Sequence, residues 1–483
     1  MFEALPEKGL PGDQILSELT DLRSADLPTH GGRLFAYVYD PALDGLDELA
    51  RAAYAISAHV NGLDPTAFPS LLAMENALVG AAARLLGGND ETVGSVTSGG
   101  TESLILAVKA ARDSRPDLAT PRLVIPSTAH AAFAKAAHYL RVALDVVPVG
   151  PDLRADPSAM AAAIGPDTVL VAASAPSYAH GVVDPIAEIA AIAAERGVRF
   201  HVDACFGGWV LPYLRRLGAD LPAFDFAVPG VTSISVDLHK YAYAPKGVSI
   251  LLHRDEALRL PQYFAYAGWP GYTMINPVIS STRSGGPIAA AVATLRHIGD
   301  AGYLDLAART REAVSVLAEA VTATDGVRLF APPETSVVCL ASAESDGVDL
   351  FVLADELAAR GWHTQPQMAF AELPATIHLT VTASVAPTAT EFAPDLAAAV
   401  AAARAAGPAD LPAPLLEAAA QLTPEMVTPE LIGGLAEGLG LGGGDFTRMA
   451  AVNSLLNVAP PALREALLTG FLSLLQRPSR VTE

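Results

Sequence analysis

The sequence predicts an α/β fold: a large domain on a mostly parallel sheet, then a smaller α+β domain and a helical tail. Three observations carry that expectation. Short apolar runs alternate with stretches of helical spacing between about residues 70 and 300. The runs are continuously apolar, as strands covered on both faces require. With 51% hydrophobic and 17% charged residues among 483, the chain can bury a substantial core and is not a disordered one.

The elements follow in order. Residues 1–60 read as an arm, an irregular Gly/Pro-punctuated start and then helical spacing over Asp44–Ile56. Residues 61–300 form the large domain. It opens with a helix over Leu71–Leu86 that Gly87-Gly88 stops. Strands are expected at Arg122–Pro126, Leu144–Val149, Val169–Ala173, Val198–Val202, Ile234–Val236 and Val248–Leu252, with helices such as Pro185–Arg196 between them. Residues 301–406 make the smaller domain: a helix from about Gly302 to Thr322, then Ser336–Leu340, Leu350–Arg360 and Ile377–Thr382 as strand, helix and strand. Residues 407–483 read as a helical extension jointed at Gly438–Gly444.

Charge narrows the function. Lys and Arg number 31 against 52 Asp and Glu, a net −21, which disfavours nucleic acid and anionic membranes as partners. Glu3 and Glu7 stand where a secretory signal would be basic, and no run of about 18 apolar residues occurs, so a cytoplasmic location is expected. Cys205 and Cys339 offer neither a disulfide framework nor metal-ligand spacing, and no metal is expected.

Three segments carry chemistry. Val96-Thr97-Ser98-Gly99-Gly100-Thr101-Glu102-Ser103 precedes a helical pattern; glycines and hydroxyls at a helix start suit a phosphate, though a capped glycine turn looks the same. Asp203 closes a buried strand in Val198–Ala204, at the edge where open α/β sheets bind ligands. It could pair with a ring nitrogen or simply cap a turn. Ser233–Tyr241 contains Lys240, one of only five lysines. Lys109 and Lys135 lie in helical patterns and Lys8 in the arm, which leaves Lys240 and Lys246 as possible Schiff-base nucleophiles, their pKa lowered by desolvation and neighbouring cations. A phosphate-holding helix start, a ring-nitrogen acid and a lysine are the three protein parts that pyridoxal 5′-phosphate requires.

The segments VTSGGTES, STAHAAFAKAA, HGVVDP, HVDACFGGW and SISVDLHKYAYAPKGVS resemble pyridoxal-dependent decarboxylases of the glutamate-decarboxylase group, and sphingosine-1-phosphate lyases in particular. The likeness runs from about Gly32 to Ala405 and implies a fold-type I large domain. It implies that Lys240 bonds the cofactor, Asp203 pairs with its ring nitrogen and His130 stacks on its face. It places Ser98, Gly99, Gly100, Thr101 and His239 at the phosphate, and Ser174 and Ser235 near the ring. Ser281 and Gly285 belong to a loop reaching a neighbouring subunit's phosphate, which implies a homodimer with shared sites. Tyr39, Tyr178 and Lys246 are candidates for moving protons, a nearby cation such as Lys246 being needed to lower a tyrosine's pKa. Asn61, Asp64 and Tyr243 are expected on the substrate side. Asn61-Gly62-Leu63-Asp64-Pro65 departs from the lyase pattern Asn-Pro-Leu-His-Pro, and Asp64 would repel the phosphate that a His favours.

The resemblance therefore implies a pyridoxal-phosphate carbon–carbon lyase acting on a small amine or β-hydroxy amine. The same scaffold supports an L-amino-acid decarboxylase, and a catalytically silent cofactor-fold protein is the remaining class.

Overall fold

The computed structural model describes residues 5–272, 274–409, 421–438 and 447–477. A seven-stranded sheet forms the large domain: β1 (Val93–Thr97), β2 (Arg122–Pro126), β3 (Ala143–Val147), β4 (Thr168–Ser174), β5 (Arg199–Asp203), β6 (Ser233–Asp237) and β7 (Ser249–His253). Their order is β1-β7-β6-β5-β4-β2-β3. Strands β3, β2, β4, β5 and β6 pair in parallel, while β7 runs antiparallel to both β6 and β1. β4, β6 and β7 are buried along their whole length, which is why they read as unbroken apolar runs or small polar ones.

Four features depart from the sequence expectation. β1 was not foreseen: its Val-Gly-Ser-Val-Thr run has too few bulky residues to stand apart from the glycine loop after it. The helix placed from Gly302 starts at Gly285 and runs to Thr322, with a break at Gly299 (φ 64°). Its four glycines masked the periodicity. The irregular start of the arm contains a helix, Gly12–Leu22, with no buried residue. An exposed hairpin, β8 (Phe264–Tyr266) and β9 (Met274–Asn276), also escaped notice because neither strand packs on a core.

The smaller domain carries an antiparallel sheet of β10 (Val327–Leu329), β11 (Val337–Ser342), β12 (Gln365–Gln367) and β13 (Thr376–Thr380), in the order β10-β11-β13-β12. The arm belongs to it in part. Leu34 bridges His363, and Phe35 stacks on Trp362 at 5.7 Å and meets Phe392 edge-on. In the extension, Ile432, Ala459, Leu463 and Leu467 form a small core of their own. All of the expected glycine joint but Gly438 lies outside the described residues. Among those described, no helix is long and apolar enough to cross a membrane.

Candidate active site

The sheet registers assemble the site. Ser174, Asp203 and Ser235 stand side by side at the carboxyl ends of β4, β5 and β6. On the other side Thr97 pairs with Ser249, which pairs with Asp237, so the glycine loop leaving β1 emerges beside the end of β6. Above this edge opens a cleft of about 470 Å³. Ser98, Gly99, Gly100, Thr101, His130, Ser174, Tyr178, Asp203, His239, Lys240 and Lys246 all line it, as expected.

Lys240 follows β6 by one turn. Its Nζ lies 3.0 Å from Asp237 Oδ2, and His239 Nε2 approaches the same oxygen at 3.6 Å. Ser249 Oγ donates to Asp237 Oδ1 at 2.5 Å. Burial pulls the Lys240 ammonium down, but Asp237, with Cys205 and Asp203 behind it, outweighs that and leaves its pKa raised. The expected lowering is thus reversed in the free lysine, because an anion rather than a cation is its nearest neighbour. Asp237 itself is opposed by burial, yet Lys240 and His239 hold it below the usual carboxylate range.

Asp237 and Glu102 are the functional residues that sequence reasoning missed. For Asp237 a signal existed: Ser233, Ser235 and Asp237 alternate along β6 and so share one face. His201 of β5 joins that face, within 2.8 Å of Ser233 Oγ and 3.2 Å of Ser235 Oγ. Glu102 accepts from Ser98 N at 2.7 Å and Ile279 N at 2.9 Å, tying the glycine loop to the segment before the Ser281 loop.

The residues fit pyridoxal 5′-phosphate. The helix Gly100–Asp113 has no side chain capping its first turn, which leaves N–H groups that would suit an anion at the cleft. A Cβ on Gly100 would sit 2.8 Å from Cys205 Sγ and 3.0 Å from both Asp237 carboxylate oxygens, so the cradle tolerates only glycine there. Asp203, 7% exposed, accepts from Cys205 N at 3.1 Å and stays available at the strand end. His130 Nδ1 accepts from Ala132 N at 3.1 Å. That bond caps a helix and leaves Nε2 as the N–H nitrogen, so His130 is both the cap and a cleft residue.

Seven expected site residues lie elsewhere. Ser235 is buried beneath Asp203, where it accepts from Cys205 Sγ at 3.1 Å. Tyr39 packs behind the cleft against Phe206 and Tyr241. Lys246 sits 5.2 Å over its ring face, yet burial raises the Tyr39 pKa well above normal, contrary to the expected lowering. Tyr243 is buried, its hydroxyl turned to Thr310 and Ala383 rather than to substrate, and burial pushes it up to about 12. Asn61, Asp64, Ser281 and Gly285 are outside this chain's cleft and close to one another. Asn61 bridges Ser284, Gly285 N donates to Val60 O at 2.7 Å, and Arg283 pairs with Glu75. Asp64 is exposed and accepts from Thr66 Oγ1 at 2.7 Å and Thr66 N at 2.8 Å in a local turn, bonds that lower its pKa.

A family model described as "Pyridoxal-dependent decarboxylase conserved domain" matches residues 3–342. A second, "Pyridoxal-dependent enzyme, C-terminal putative HTH domain", matches residues 379–474. Sphingosine-1-phosphate lyase of Arabidopsis thaliana is 36% identical over 400 residues, covering 80% of this chain and 72% of that protein. The structure of a Burkholderia pseudomallei sphingosine-1-phosphate lyase superposes with a TM-score of 0.78 at 35% identity, covering 84% of this chain and 94% of that one. A probable L-aspartate decarboxylase of Pyrococcus furiosus is 31% identical over 359 residues, covering 74% of this chain and 93% of that protein. The fold is that of fold-type I pyridoxal enzymes, and pyridoxal 5′-phosphate is the cofactor. The chain belongs to the pyridoxal-dependent decarboxylase family as a relative of its sphingosine-1-phosphate lyases.

Proposed function

We propose that this protein is a carbon–carbon lyase that cleaves a β-hydroxy amine by retro-aldol chemistry. One observation carries the reading: Lys240, Asp203 and His130 line one cleft that opens on an uncapped helix start. Pyridoxal 5′-phosphate, when bound, supplies a ring that accepts the electrons of a bond broken beside the substrate's nitrogen. Lys240 would hold it covalently, Asp203 would keep the ring nitrogen protonated, and Gly100, Thr101 and His239 would take the phosphate.

Retro-aldol cleavage needs a group to take the β-hydroxyl proton. Burial raises the Tyr178 pKa, Lys240 opposing it only in part, so Tyr178 keeps its proton and acts as a donor. Lys246 is the better base, because burial and then the Lys240 charge lower its pKa. Tyr39, away from the cleft, takes no part.

The homodimer fits the same reading. The Gly12–Leu22 helix exposes Ile15, Leu16, Leu19 and Leu22, and the β8–β9 hairpin region exposes Phe264, Tyr266, Trp269 and Ile275. A second copy would cover these surfaces and receive the cluster of Asn61, Asp64 and Ser281 at its own cleft. Asp64 there disfavours a phosphorylated substrate, so a non-phosphorylated amino alcohol is the substrate class proposed. Residues 407–483 carry four Arg against eight Asp and Glu, a poor surface for nucleic acid. A cytoplasmic location completes the reading.

Borohydride reduction of the holoenzyme, with mass spectrometry, should mark Lys240; marking at Lys246 overturns the assignment. 2-Amino-1,3-alkanediols should give aldehyde without carbon dioxide. Carbon dioxide from an amino acid would instead establish the decarboxylase that the Pyrococcus relative represents. Asp64→His should improve cleavage of the 1-phosphorylated diols, and no gain would refute the role given to Asp64.

A further inference from the structure

Behind Asp203 the sheet carries a buried polar row to which the chemistry above gives no task. Parallel pairing sets His201 beside Ser233 and Asp203 beside Ser235, so the four side chains share one face of β5 and β6. His201 and Ser235 are fully buried, and Ser233 is 4% exposed. Polar groups at such depth cost stability unless they satisfy one another.

They do so as a chain. Ser233 Oγ lies 2.8 Å from His201 Nδ1, and His201 Nε2 lies 3.2 Å from Ser235 Oγ. Ser235 Oγ donates in turn to Asp203 Oδ1 at 3.5 Å, the longest link. Phe133 meets the His201 ring edge-on at 6.1 Å. Burial, and after it the neighbouring His253, depresses His201 to about 3, so its ring is neutral and carries one N–H. Two tautomers are open to it. With the hydrogen on Nε2, Ser233 donates to Nδ1, Nε2 donates to Ser235, and the Ser235 hydrogen is left for Asp203. With the hydrogen on Nδ1, Ser235 donates to Nε2 instead and Asp203 loses its hydroxyl. The Ser233 hydrogen then has no acceptor in the chain. Cys205 Sγ donates to Ser235 Oγ at 3.1 Å and does not compete for the Ser235 hydrogen. Only the first arrangement satisfies every member.

We propose that His201 is a positioning residue: as the Nε2–H tautomer it turns the Ser235 hydroxyl onto Asp203 and so keeps the proton shared with the cofactor on the ring nitrogen. A hydroxyl donating to a carboxylate favours its charged form, and a charged carboxylate leaves a shared proton with its partner. The electron-accepting power of the ring depends on that proton. The proposal rests on the reading of Asp203 as the partner of the ring nitrogen and deepens it by naming what orients that acid.

The test uses holoenzyme loaded with pyridoxal 5′-phosphate labelled with ¹⁵N in its ring, whose resonance reports where the proton sits. Visible absorbance first shows that each variant holds its full complement of cofactor. Asp203→Asn should move the resonance furthest towards that of an unprotonated pyridine. Ser235→Ala and His201→Asn should move it part of the way, since the shorter Asn side chain does not reach Ser235. His201→Gln, which returns an N–H near the Nε2 position, should bring it back. If His201→Asn fails to fold, Ser235→Ala reads the same link from its other end. A resonance that stays at the wild-type position in Ser235→Ala and His201→Asn, while Asp203→Asn moves it, overturns the chain and leaves the Asp203 reading standing. A Gln variant that behaves like the Asn variant overturns the assigned tautomer. No movement in Asp203→Asn overturns the reading of Asp203 itself, and the chain with it.

Discussion

Replacing Asp237 by Asn isolates the charge that holds the lysine before the cofactor arrives. Asp237 is 3% exposed and its Oδ2 lies 3.0 Å from Lys240 Nζ. At that separation and an effective dielectric of ~20 the attraction is about 5 kcal/mol. Asn keeps the shape and can still accept from Ser249, so charge is what is removed. Cys205 and Asp203 continue to favour the ammonium, and solvent recovers part of the rest, leaving a net loss of about 2–3 kcal/mol. The pH at which the amine becomes free should therefore fall by roughly two. Only the neutral amine attacks an aldehyde, so the variant apoenzyme should load cofactor rapidly at lower pH than the wild type. Stopped-flow absorbance on mixing apoenzyme with pyridoxal 5′-phosphate across the alkaline range reads how far the curve of rate against pH is displaced, since an amine with a raised pKa stays mostly protonated below about pH 10. A rate profile that superimposes on the wild type, or moves to higher pH, would refute the electrostatic argument.

Three further outcomes are expected. Gly100→Ala forces its Cβ against Asp237 and Cys205; overpacking of about 1–3 kcal/mol should weaken cofactor binding about 5- to 150-fold by equilibrium dialysis, and an unchanged affinity would discount the cradle. Lys246→Gln should lower kcat by about 10²–10⁴ while the holoenzyme spectrum persists, whereas full activity would remove Lys246 as the base. Stability should fall on acidification. Burial depresses His201 to about 3 and His253 and His378 to about 4, so between pH 6.5 and 4 the unfolded chain binds more protons than the folded one. Asp184, raised by burial to about 6, and Asp355, also raised by burial, work the other way, against these three and His180, likewise depressed to about 4. Urea midpoints should drop over that window and His201→Gln should reduce the drop; midpoints that climb would contradict the sign.

Burial decided what the sequence could disclose. β2 and β4 to β7 were legible because each is a short run, mostly buried and bounded by turn residues, and Lys240 stood out because lysine is scarce in this chain. The boundary placed at residue 300 falls one residue past the break at Gly299. What escaped were features that depend on three-dimensional company. The hairpin β8–β9 and the Gly12–Leu22 helix have no core to imprint a pattern on them. Whether a cation or an anion faces Lys240 is settled only when the sheet places Asp237 beside it. Tyr39 and Tyr243 looked like reactive hydroxyls because composition does not say which way a ring points.

Phe35 is made early by the ribosome and Phe392 late, yet they meet edge-on in one apolar cluster with Trp362. The smaller domain therefore cannot finish forming until Phe392 has been made, and a nascent chain must carry its first segment unsatisfied until most of the sequence has emerged. Deletions near either terminus should consequently damage the same region of the molecule. An expression strategy that trims the front for convenience would unseat a part of the protein encoded hundreds of codons away.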